Sequence, residues 1–145
     1  MTTRLLVIED GHEYVERFRR FLGQEFKFSR AGCLAEARVQ LAGECGGLLL
    51  DLDFRRARPE ELIDEQGSTR VDLREDERKR LAENQGILLL RALRADGRRQ
   101  PALLFADVVD AEQVSILERS LAPLEVLGSD VSLPEIARRI RAMAG

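Results

Sequence analysis

The sequence predicts an α/β protein whose parallel sheet is covered by helices on both faces. Short apolar runs alternate with stretches of helical period along most of the chain, which is the pattern of repeated strand-helix units. Leu48-Leu49-Leu50 and Ala102-Leu103-Leu104-Phe105 lack polar alternation, as strands buried on both faces do. The size agrees: 145 residues, 44% hydrophobic and 34% charged, match one ordinary domain.

The first strand is Leu5-Leu6-Val7-Ile8. After it, Tyr14, Val15, Phe18, Phe21 and Leu22 have the three-and-four spacing of one helix face, with Glu13, Glu16, Arg17, Arg19 and Arg20 opposite and Gly23 as the stop. Phe26-Lys27-Phe28 alternates as a short strand. A helix from Leu34 to Leu41 then turns Ala37 and Leu41 towards the sheet before Gly43. The third strand is Leu48-Leu49-Leu50-Asp51, the fourth runs from Ala102 to Ala106 behind Pro101, and the fifth is Leu124-Glu125-Val126-Leu127. Helices are expected from Ile87 to Arg94, from Ala111 to Leu121 and from Ile136 to Met143. Ser132-Leu133-Pro134-Glu135 introduces the last, with a capping hydroxyl, an acid three places on and a proline that the first turn tolerates. Five βα units result, in a sheet order that the residues alone leave open.

From Arg55 to Gln85 the rhythm breaks. Eight basic and nine acidic residues crowd 31 positions with few apolar ones, so the segment is expected to add little core. It reads as a charged insertion, 55–85, within a single domain, 1–145. Asp72 to Ala82 reads either as charged loop or as a solvated helix supported by Glu75 with Lys79 and Asp76 with Arg80, pairs worth ~0.2 to 0.5 kcal/mol each.

A net charge of -3 gives no broad electrostatic reason to bind nucleic acid or an anionic membrane. Arg138, Arg139 and Arg141 read as a solvated helix end. The apolar runs are too short to span a bilayer, and the N-terminal stretch reaches Glu9 and Asp10 too soon for a signal-peptide core, so a cytoplasmic location is expected. Cys33 and Cys45 lie twelve positions apart without a partner for zinc or redox chemistry, and read as reduced packing residues. His12, the only histidine, reads as a surface residue. Lys27 and Lys79 are the only lysines.

In a parallel α/β sheet, ligands bind outside the carboxyl ends of the strands. The residues there are acidic: Glu9 and Asp10, Asp51 with Asp53 two places on, and Asp107. If the first and third strands are neighbours, Glu9, Asp10 and Asp51 converge. Like charges held close force a proton onto one carboxylate unless a cation neutralises the set. Mg²⁺ suits oxygen donors, and a carboxylate beside it is a candidate nucleophile towards a phosphoryl group, giving an acyl phosphate. Asp51 fits that role by position. The alternative is that these acids are simply solvated strand ends.

Arg4-Leu5-Leu6-Val7-Ile8-Glu9-Asp10 and Leu48-Leu49-Leu50-Asp51-Leu52-Asp53 resemble the receiver domain of bacterial two-component response regulators, and Gly86 to Arg94 resembles the start of its third helix. The resemblance implies a flavodoxin-like sheet of order 2-1-3-4-5. It implies Mg²⁺ on Glu9, Asp10, Asp51 and the backbone carbonyl of Asp53, with Asp51 as phosphoacceptor. It further implies a histidine kinase or phosphotransfer protein upstream, an effector protein downstream and a homodimer. Three departures stand out. The switch Thr or Ser falls on Ala106, the lysine after the fifth strand falls near Gly128-Ser129, and the aromatic switch position falls on Glu125. Phe54-Arg55-Arg56 replaces the usual turn after the acceptor, and Asp51 and Gly86 stand 35 positions apart where the family pattern needs roughly eight.

A hydroxyl bonded to a charged phosphoryl oxygen is worth ~1.5 to 3 kcal/mol, so its loss implies a weak or rewired switch. Arg55, Arg56 and Arg58 are candidates to supply the missing cation. An alternative is a pseudo-receiver that acts as a protein-binding module without phosphorylation. Asp51-Leu52-Asp53 also resembles the nucleophile motif of haloacid-dehalogenase-type phosphatases, which would make Asp53 an acid/base. That motif, however, normally lies on the first strand of the core.

Overall fold

The computed structural model describes residues 2–108 and 110–144. Its five parallel strands are β1 (Thr3–Ile8), β2 (Phe26–Ala31), β3 (Gly47–Asp51), β4 (Ala102–Phe105) and β5 (Leu124–Leu127), in the order β2-β1-β3-β4-β5. The flavodoxin-like order is therefore the one found. The helices are α1 (Glu13–Leu22), α2 (Leu34–Gln40), α3 (Glu75–Glu83), α4 (Gln85–Ala95), α5 (Ala111–Ser120) and α6 (Leu133–Ala144). None among the described residues is long and apolar enough to cross a membrane.

Alternation along the strands builds two cores. Leu5, Val7, Leu49, Leu103 and Phe105 face α1 and α6, where Val15, Phe18, Ile136 and Ile140 are buried against them. Leu6, Ile8, Leu48, Leu50 and Leu104 face the other way, onto Leu34 and Ala37 of α2 and Leu89, Leu90 and Leu93 of α4. Two elements are longer than the sequence suggests. β2 continues through Ser29 and Arg30 because they pair with Leu6 and Val7 of the neighbouring strand. The last helix starts at Leu133, where Ser132 Oγ accepts the Glu135 N–H at 3.4 Å.

The charged segment departs from expectation. Leu62, Ile63, Leu81 and Ala82 are buried in the same core as α2 and α4, together with Phe54. Two adjacent apolar residues without period gave no such signal, yet both found cover. Gln85 fixes them in place: its amide donates to the carbonyls of Ile63 and Leu81, each at 3.1 Å, and its oxygen accepts the Ile63 N–H at 2.9 Å. The helix in this segment is α3, but its ion pairs are not the expected ones. Arg78 holds Glu75, Arg80 reaches Glu65, and Lys79 stands 3.9 Å from Glu83.

Candidate functional site

Ile8 of β1 stands in register with Leu50 of β3, so Glu9 and Asp51 leave adjacent strands side by side. This is the place where the chain turns from β1 towards β2 on one side and β3 on the other, the crevice where such sheets take ligands. The topology thus brings the expected acids to one edge.

Their side chains have distinct partners. Glu9 is buried, and its two oxygens accept the N–H groups of Tyr14 at 3.1 Å and Val15 at 2.8 Å. It serves as the anion at the start of α1, where the N-terminal His12 supplies no side-chain bond. Each Glu9 oxygen, expected among the metal ligands, thus already accepts a bond from α1. Arg30 of β2 braces the same loop from behind, donating to the carbonyls of Glu9, Asp10 and Gly11.

Asp10 is gripped by one residue. Oδ2 accepts the backbone N–H of Arg56 at 2.8 Å, and Oδ1 lies 3.4 Å from the Arg56 guanidinium. The same guanidinium forks onto Glu13 at 2.6 and 2.9 Å. Those bonds hold the Glu13 carboxyl down at about 2. Gly11 leaves these side-chain tips close to the loop: a Cβ there would lie 2.3 Å from a Glu13 oxygen and 2.4 Å from Arg56 Nη2, so the fork would have to shift to admit one. Of the three candidate arginines, only Arg56 reaches the acid pair: Arg55 binds Asp53 at 2.7 Å and Arg58 binds Glu61 at 3.1 Å.

Asp51 Oδ1 accepts the Leu52 N–H at 2.9 Å. Burial pushes its carboxyl up to about 6; the Leu52 bond opposes this, and the charges of Asp10, Glu9 and Asp53 add to it. Asp53 Oδ1 is buried without a hydrogen-bond partner among the described residues. Beneath Asp51 lies Gly86, whose N–H donates to Leu52 O at 2.9 Å; a Cβ on Gly86 would stand 2.1 Å from Asp51 O. This close approach of α4 to β3 requires a residue without a side chain.

Tyr14 was legible only as part of an apolar helix face. Its ring stacks on Phe105 of β4, centroids 4.9 Å apart, and Phe105 is the register partner of Asp51. Burial, reinforced by the Asp51 and Glu9 charges, pushes its phenol up to about 12. The sequence signal was there in retrospect: a hydroxylated aromatic in the first turn after the acidic pair.

The altered switch positions lie at the opposite half of the edge. Ala106 is buried just past β4, and Gly128 follows β5. Asp107 accepts both the N–H and the hydroxyl of Ser129, at 2.8 and 2.7 Å, which ties the two loops together. Glu125 pairs with Arg139 of α6. His12 is exposed, and Cys33 and Cys45 are free thiols, half-buried.

The donor set does not fit a magnesium ion as it stands. Glu9 has both oxygens on α1 and Asp10 has both turned to Arg56. Among the described residues no group of three His, Cys, Asp or Glu side chains is placed to hold a metal.

No family model matches the chain, and no curated protein matches it. Solved structures do. The receiver domain of the Francisella response regulator 1452 is similar with a TM-score of 0.69 over 99% of this chain and 97% of its own, at 14% identity. A two-component response regulator from Clostridium difficile gives 0.67 over 98% and 95%, at 12% identity. A response regulator receiver protein from Pseudomonas putida gives 0.63 over 98% of each chain, at 18% identity. The fold is the receiver fold. The acidic edge of β1 and β3 lies at the carboxyl ends of the strands, and the segment between β3 and α4 packs onto the core.

Proposed function

We propose that this chain is a receiver-type signalling module in which Asp51 accepts a phosphoryl group from a phosphohistidine of a kinase or phosphotransfer protein. The state would pass on through protein-protein contacts, including a homodimer. One observation carries the reading: Asp51 ends the central strand at the ligand edge, half-open to solvent, with Oδ1 oriented by Leu52 N–H. With its carboxyl at about 6, Asp51 is about nine-tenths ionised at pH 7. The carboxylate oxygen attacks phosphorus, the P–N bond breaks, and the imidazole leaves as the neutral ring once it takes a proton. The nearby guanidinium of Arg56 is the protein's own positive charge at this edge.

A second reading, the pseudo-receiver, is favoured by the same Arg56, since an acid pair already neutralised has less need of an incoming ligand. The Asp107 and Ser129 bonds favour it too, because they tie together the two loops that carry the altered positions Ala106 and Gly128.

The test is incubation with a small phosphodonor, or with beryllofluoride, in the presence of magnesium, followed by intact mass or spectral change. The proposal expects wild type to respond and Asp51→Asn to be silent. Wild type unmodified at saturating donor would leave the pseudo-receiver.

A further inference from the structure

The acidic edge carries its own cation. We propose that Arg56 is the resident counter-ion of the acceptor end, seated on Asp10 in place of a divalent metal, so that metal binding requires the guanidinium to leave. The inference deepens the receiver reading and rests on it for the meaning of the site. Its chemistry, however, is competition for Asp10 and is measured without any phosphoryl transfer.

Three independent features build the seat. Asp10 has a nearly solvent-free side chain and meets two donors of the same residue, a backbone N–H and a guanidinium N–H, so one residue occupies both oxygens. Glu13 takes the outer edge of the same guanidinium with both of its oxygens, which fixes its direction. The loop between the two acids is held from behind by Arg30, which donates to the carbonyls of Asp10 and Gly11. An isolated surface ion pair would count for little. A fork whose inner acid is buried and whose backbone donor is part of the grip is a different object.

A divalent ion needs an Asp10 oxygen, holds its waters tightly and brings two positive charges beside a third. Glu13 holds the guanidinium in line with Asp10 and so resists that departure. Arg56 and Glu13 thereby form a latch, which sets how much free cation is required before the acceptor end is loaded.

The experiment is a Mn²⁺ titration of the unphosphorylated full chain at pH 7. Free ion is counted by its paramagnetic resonance signal, and Tyr14, the only tyrosine in a chain without tryptophan, reports locally by fluorescence quenching. Arg56→Ala should bind Mn²⁺ at least tenfold more tightly than wild type, and Arg56→Ala combined with Asp10→Asn should lose that gain. Glu13→Gln, which loosens the fork without touching Asp10, should move affinity in the same direction by a smaller factor and guards against a folding defect in the arginine variant. Equal affinity in wild type and both single variants overturns the latch, as does a gain that survives Asp10→Asn. Failure of phosphoryl uptake leaves these readings standing, so the two claims fall separately.

Discussion

Asp51 and Asp107 leave neighbouring strands at one edge of one sheet and end in opposite electrostatic states. Asp51 is half-buried beside Glu9, Asp10 and Asp53, and its carboxyl rises to about 6. Asp107 is exposed, and the N–H and hydroxyl of Ser129 draw its carboxyl below the ordinary range. The difference comes from what lies beneath and beside each residue. Under Asp51, α4 presses against the strand at Gly86, and Leu62 and Ile63 of the charged segment are buried in the core wall that also holds Leu50 and Phe54. At Asp107, among the described residues, the partner is the two-point hydrogen bond from Ser129 on an exposed loop. Reactivity at this edge is thus a property of the scaffold behind the acid, since the residue type is the same.

Substitutions can break that contrast. Leu62→Ala should have the largest effect, costing about 3 kcal/mol, because it removes a buried side chain from the wall. A Tm lower by roughly 10 °C would be read calorimetrically, with the Asp51 titration moving down towards its ordinary value of 3.8. Gly86→Ala should cost about 2 to 3 kcal/mol by driving a methyl into Asp51 O, and should disturb the NMR signals of β3 while leaving Asp107 in place. Unchanged stability in either variant would mean that the wall does not set the state of Asp51.

Asp51→Asn should act in the other direction. The fold holds the Asp51 proton more tightly than the unfolded chain does, so its ionised form destabilises fully above about pH 6, less between 6 and 3.8, and not at all below. The variant should gain about 1 kcal/mol at pH 7, a figure reduced for the solvent that reaches the carboxylate, and the gain should vanish by about pH 4 in denaturant titrations. A gain independent of pH would break the link to ionisation. Ser129→Ala is the smallest: Tm stays essentially unchanged, and Asp107 titrates partway back towards the ordinary carboxylate range by NMR, since the backbone donor remains.

The strands and the acids at their ends were legible because strand period and strand ends are local signals; the sheet order came from the resemblance, since pairing between strands is not local. β2 was underestimated because Ser29 and Arg30 owe their extended form to pairing with β1, and their own residue types carry no strand signal. Leu62 and Ile63 were missed for a similar reason, being two apolar residues in a charged stretch that gain cover only from distant helices. The bonds from Arg56 to Asp10 and from Arg30 to Glu9 join residues 46 and 21 positions apart, and no spacing rule announces them. Glu9 shows the converse limit. Its place at the strand end was read correctly, yet its carboxylate turned to the helix that follows.

Gln85 and Gly86 are consecutive. One clasps the backbone of Ile63 through its amide, and the other touches the last carbonyl of β3. A molecule that grips the charged outer surface between β3 and α4 therefore takes hold of a short lever whose far arm rests on the central strand itself.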